Sequence, residues 1–165
     1  MNDEFKLQIE AGWKAHDSFV SMIKFADAKI GGFLTIGGVL TGFGAKVLVG
    51  VFEHSVDIGV FGEVILILAF FLIGLTVLFS LMAVSPRPNT ASSLLAFPDV
   101  SGMEESDYSN QMKSLNSERV LMELSKQCHA LSVIASSKYR WINRASTTLI
   151  LAVILTFTLL IFKAW

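Results

Sequence analysis

Apolar residues gather along this chain in three long blocks separated by polar stretches, and these blocks set its class. Residues Ile30 to Phe52, Val64 to Val84 and Ala145 to Phe162 are each close to the length that crosses ~30 Å of hydrocarbon at ~1.5 Å rise per residue. The middle block opens Val64-Ile65-Leu66-Ile67-Leu68 and carries no charge as far as Val84. A water-soluble fold of 165 residues has no interior large enough for all three, so the medium is lipid. The pattern predicts an all-α integral membrane protein with three transmembrane helices at 30–52, 64–84 and 145–162. A loop at 53–63 joins the first two spans, and a tail at 163–165 ends the chain.

The polar stretches carry a helical rhythm of their own. Before the first span, Phe5, Ile9, Trp13, Val20, Ile23 and Ile30 recur at mostly three- and four-residue spacing, which places them on one helix face. Gly12 interrupts that face at a cost of ~1 kcal/mol. After Asn116-Ser117, suitable helix caps, a second stripe runs through Val120, Leu121, Leu124, Cys128, Leu131, Ala135 and Ile142. Between Ser85 and Asn116 lies a connector rich in Ser, Asn, Asp and Pro, read as irregular. Its apolar patch Leu94-Leu95-Ala96-Phe97-Pro98 suggests a short docking element. Spans one and three are therefore expected to extend out of the membrane, with 1–29 and 85–144 together forming a small helical sensing domain.

Charge orients this arrangement. Lys6, Lys14, Lys24 and Lys29 precede the first span, and Arg87, Lys113, Arg119, Lys126, Lys138, Arg140 and Arg144 lie between the second and third. The 53–63 loop has Glu53, Asp57 and Glu63 but no cation. Cationic loops stay inside, so the N-terminus and 85–144 are expected in the cytosol, with the loop and the C-terminus outside. Trp141 and Trp165 flank the third span where interfacial rings prefer to lie. The acidic start Met1-Asn2-Asp3-Glu4 does not resemble a cleavable signal, so the first span is expected to serve as the insertion signal.

Composition narrows the chemistry. Hydrophobic residues make up 53% and charged ones 16%, with a formal net charge of −1, and no cationic block suits nucleic acid. The single cysteine, Cys128, excludes an internal disulfide and reads as a small half-buried helix residue. His16, His54 and His129 fall on both sides of the predicted membrane, so no metal site is expected. Neither a nucleophile elbow nor a phosphate-binding glycine loop occurs. No catalytic residue is expected, and the chain reads as a non-enzyme.

Two features of the first span remain open in meaning. Gly38-Val39-Leu40-Thr41-Gly42 is a small-xxx-small pattern that lets helices approach closely in lipid. Gly38 and Gly42 pack either against the other spans or against a second copy in a homo-oligomer. Lys46 either snorkels to the outer interface or lines an aqueous path.

Four short elements in order resemble the Pycsar transmembrane effectors. They are Ala26-Asp27-Ala28-Lys29 at the mouth of the first span, Pro86-Arg87 after the second, Leu95-Ala96-Phe97-Pro98-Asp99-Val100 in the connector, and Ser137-Lys138-Tyr139 before the third. Pro98-Asp99 stands where that family has a small or glycine residue. The resemblance covers the chain from about Phe19 onward.

The resemblance implies antiphage defence in the bacterial inner membrane. A cognate cyclase makes cyclic UMP or cyclic CMP on infection, and the effector binds it and impairs the membrane, causing abortive infection. The ligand is then an activating cyclic pyrimidine mononucleotide rather than a cofactor. Such a ligand asks for cations at its phosphate, an aromatic wall and polar groups at its base. Arg87, Lys138 and Arg140 are the phosphate candidates. Phe97, Tyr139 and Trp141 are candidates for the wall, and Gln127, Asn110 or Asn143 for the base. Lys138, Arg140 and Arg144 also fit a plain collar against anionic lipid, while Arg87 between two prolines has a fixed direction. Asp27 and Lys29 are candidates for pairing across the helices or for gating. The alternatives are a ligand-independent, holin-like pore former and an accessory subunit of a membrane complex.

Overall fold

A computed structural model describes residues 3–53, 59–85, 93–94 and 100–164. It contains helices α1 (Asp3–Phe52), α2 (Gly59–Val84), α3 (Glu105–Lys113) and α4 (Ser117–Ala164), with no strand among the described residues. Helices α1, α2 and α4 are long and apolar enough to cross a membrane, so the all-α, three-span reading stands. Asp3 and Glu4 in the first turn of α1 complement its dipole. At the start of α4 the Asn116 side chain accepts the Arg119 amide N–H at 2.8 Å, which satisfies one of the helix's unpaired donors. Gly59 opens α2 at φ +64, a conformation that glycine adopts without strain.

The 85–116 connector is not irregular throughout. Residues Glu105–Lys113 form α3, with Glu105 and Asp107 in its first turn and Lys113 in its last, charges that suit both ends of a helix. Its polar composition hid it from a search based on apolar periodicity.

The chain divides into two compact units, one of Met1–Phe25 with Pro86–Ser137 and one of Ala26–Ser85 with Lys138–Trp165. In the second, α2 runs antiparallel to α1 and α4. Ala26 and Ile30 of α1 pack with Ala83 and Ile142 at one end of this bundle. At the other end Val47, Leu48 and Val51 meet Ile65, Leu66 and Leu159. Midway, Thr76 and Ser80 are completely buried. The Thr76 hydroxyl lies 2.8 Å from that of Thr148, and Ser80 donates to the Thr76 carbonyl at 2.8 Å. Large residues point the other way: Val39, Phe43, Ile67, Phe71, Leu78, Ile150, Ile154 and Phe157 are all exposed. Such an apolar exterior is stable only in lipid.

Glycines of the first span divide between the two sides of α1. A Cβ on Gly37 would meet Val77 at 3.3 Å and one on Gly44 would meet the Phe70 ring at 2.5 Å, whereas Gly31, Gly32, Gly38 and Gly42 face open space. Close packing inside the bundle therefore uses Gly37 and Gly44, and the intramolecular option for Gly38 and Gly42 falls away.

In the first unit Gly12 is a point of contact between helices. A Cβ there would lie 2.5 Å from Leu124 Cδ2, and Cys128 Sγ lies 3.5 Å from the Gly12 carbonyl oxygen. The interruption read from the sequence as a helix penalty is the place where α1 and α4 approach.

Gly44→Ile is expected to lower the thermal midpoint of the detergent-solubilised protein, at about 1–3 kcal/mol for an overpacked core. Gly38→Ile is expected to leave the stability of the single chain unchanged. Equal midpoints for the two variants would remove the division of the first span into a packed and an open side.

Candidate functional site

The first unit is organised around a carboxylate on the inner face of α4. Glu123 has a side chain only 8% exposed, and it accepts the Leu94 amide N–H at 2.9 Å and the Lys126 ammonium at 2.9 Å. The Ser93 hydroxyl points at the Glu123 carbonyl oxygen from 3.5 Å. Ser93 and Leu94 are both buried, so the connector is fastened to α4 at these two residues. Burial works to raise the Glu123 pKa, but hydrogen bonds from Lys126, the Leu94 amide and Ser93 outweigh it and hold the carboxyl below its usual value. Sequence reasoning missed this anchor. The available signal was an acid at a three-residue step from Val120, on the buried stripe, with Lys126 in ion-pair position.

One turn along from Glu123 lies Gln127. Among the described residues its buried amide oxygen has no hydrogen-bond partner. An orphaned buried acceptor carries a desolvation cost of ~1–3 kcal/mol, which an N–H donor supplied by a ligand would relieve. Next to it, burial pushes the Cys128 thiol up from its usual pKa, which keeps it an inert thiol.

The other candidates fall in the second unit or outside the described residues. Lys138 makes an ion pair with Asp27 that joins α4 to α1. The Lys138 side chain is 16% exposed against 49% for Asp27, so the cation is the more enclosed partner. Tyr139 is half-buried against the Ala26, Ile30, Ala83 and Ile142 cluster, with Trp141 beside it. Arg140 and Lys29 are exposed near these residues in sequence, and Lys46 is exposed on the membrane-spanning part of α1. Asn143 is also exposed, and Asn110 is exposed on α3. Arg87 and Phe97 lie outside the described residues, seven positions before and three after the anchored Leu94. Gln127 thus belongs to one compact unit, and Lys138, Tyr139 and Arg140 to the other. Among the described residues no group of three or more His, Cys, Asp or Glu side chains is placed to hold a metal.

A family model described as the Pycsar effector protein domain matches residues 11–164. Among curated proteins, the Pycsar effector protein SaPycTM of Staphylococcus aureus is 29% identical over 134 residues, 79% of this chain and 81% of the relative. No solved structure matches the chain.

Glu123→Ala is expected to release the connector, speeding limited proteolysis between residues 86 and 99 and costing about 1–3 kcal/mol for the unpaired Leu94 amide. Because the carboxyl is depressed on folding, its contribution is fully present above the unfolded value of ~4.3. It is lost as pH falls through the lower folded value. Cleavage rates that match wild type at neutral pH would remove Glu123 as the fastening point.

Proposed function

The chain belongs to the Pycsar effector family, and from that premise we propose that it is an antiphage membrane effector activated by a cyclic pyrimidine mononucleotide. The observation that carries the ligand is the orphaned Gln127 amide oxygen, in the same unit as the anchored connector. Uracil offers a ring N–H and cytosine an amino group to such an acceptor, so Gln127 is the base-reading residue in this proposal. Arg87 and Phe97 are the connector's contributions of a phosphate ligand and a wall. Lys138, Tyr139 and Arg140 lie eleven to thirteen residues further along α4 than Gln127, about 16–20 Å at ~1.5 Å rise per residue, out of reach of the same nucleotide, and have no part in this site.

Output follows from differential affinity. A ligand shifts a resting helical arrangement only by as much as it prefers the active one. In this reading the nucleotide is made by a cognate cyclase, the N-terminus and connector face the cytosol of the inner membrane, and the response is loss of membrane integrity. Gly38 and Gly42, open to the surroundings beside Gly31, provide a face for self-association in lipid. No reaction is catalysed and no nucleic acid is bound.

Titration of the detergent-solubilised protein with cyclic UMP and cyclic CMP should show saturable binding of at least one. Arg87→Ala removes a charge-assisted bond worth ~1.5–3 kcal/mol and should weaken binding about ten- to a hundredfold. Gln127→Leu should also weaken it, and both variants should lose nucleotide-dependent depolarisation while inserting normally. Wild-type depolarisation by Arg87→Ala at the same nucleotide concentration would take Arg87 out of the site.

The double variant Gly38→Ile, Gly42→Ile should lower the particle mass measured in detergent without lowering thermal stability. An unchanged mass would leave that face to lipid.

A further inference from the structure

A groove between α2 and α4 opens at the polar end of the third apolar run. Phe79, Asn143, Arg144, Thr147 and Thr148 line it as a shallow, open groove of about 320 Å³. Arg144 is the last charged residue before the charge-free stretch Ala145–Phe162. Its guanidinium carbon sits 4.7 Å from the centre of the Trp141 ring. The Trp141 ring in turn packs on Phe79 with centroids 5.8 Å apart. A guanidinium stacked in this way is fixed by one face while its N–H edge stays available. Among the described residues no acceptor takes those N–H groups, and no carboxylate lines the groove. Asn143 places a side-chain amide beside the cation.

The surroundings of the groove indicate what fills it. One wall, Phe79 and Thr147, lies about a turn inside the apolar runs of α2 and α4, at a depth a water-soluble anion does not favour. Beyond Thr147 the same side of α4 continues to Leu151 and Ile154, both exposed, at the four- and seven-residue steps that share a helix face. A cation with free donors at the top of an apolar track matches a phosphate joined to acyl chains. We infer that this groove is a binding site for the headgroup phosphate of an anionic phospholipid. Arg144 is its bidentate ligand, Trp141 is the platform that aims Arg144, and the Leu151–Ile154 face carries an acyl chain.

The site is tested by reconstituting the full chain with dioleoylphosphatidylglycerol and dioleoylphosphatidylcholine in equal amounts and measuring which lipid remains bound by native mass spectrometry. Wild type should retain phosphatidylglycerol over phosphatidylcholine by about tenfold, the scale of one strong charge-assisted pair. Arg144→Gln should abolish the preference, and so should Thr147→Phe, which fills the groove without changing charge. Arg140→Gln removes an equal charge one turn away and outside the groove, and should leave the preference within about twofold. Equal loss in Arg140→Gln and Arg144→Gln would reduce the site to a diffuse cationic collar. Displacement of the bound lipid by free glycerol phosphate or cyclic UMP would assign the groove to a soluble anion instead. A wild-type preference in Thr147→Phe would overturn the site even if Arg144→Gln failed to fold.

Discussion

Hydrocarbon offers no hydrogen bonds, so each peptide group within it must find its partner inside the protein. A helix meets that demand alone, which is why the three apolar runs of this chain can take only one local structure. The same medium removes the hydrophobic drive between helices, since lipid tails are as apolar as leucine. Association then depends on close backbone approach and on hydrogen bonds between spans. The second unit follows this rule. The buried side of α2 is Leu66, Ala69, Ile73, Thr76, Ser80 and Ala83, at alternating three- and four-residue steps. The buried side of α4 repeats that rhythm through Ile142, Ala145, Leu149, Ala152 and Leu159. Inside, small and hydroxylic residues alternate with Leu and Ile, while Phe43, Phe71 and Phe157 lie outside.

Charge is confined to the ends of this bundle. Asp27 and Lys138 neutralise each other beside the Ala26, Ile30, Ala83 and Ile142 layer. Moving either partner deeper would cost several kcal/mol in uncompensated desolvation. The pair therefore limits how far α1 and α4 can slide against each other. Its net worth at a half-exposed position is small, because water and salt screen it. Such a contact fixes register at little gain in stability, and a competing anion can exchange with it without unfolding the bundle.

Fold class was legible because it rests on a quantity that the sequence states outright: the length of the three apolar runs. Which side of each span faces inward was not legible from hydropathy. In α2 both sides are apolar, and the distinguishing signal was the repeat of Ala, Thr and Ser at helical spacing. Gly38 and Gly42 attracted attention as a motif, yet Gly37 and Gly44 make the close packing, because a four-residue pattern does not reveal which way it points. The site was less legible still. Glu123 carried no motif that singled it out, and only the fold showed the Leu94 amide against it. Gln127 was among the residues read from the sequence, but the reason to single it out, a buried acceptor without a donor, exists only in three dimensions.

The two units draw on different sources of stability, and this bears on how a small ligand gains leverage. In the first unit the buried apolar residues among those described are Leu94, Leu124, Ala130 and Ala135, while Trp13 of the apolar stripe on α1 is exposed. Beside these residues, the Glu123 contacts to Leu94 and Ser93 hold that part of the connector to α4. A ligand at a hundred times its dissociation constant adds about 2.7 kcal/mol to whichever state binds it. That is comparable to the ~1–3 kcal/mol of the Leu94 amide's hydrogen bond to Glu123. On the proposed function, binding of a small molecule is therefore large enough on its own to make or release the Leu94–Glu123 contact.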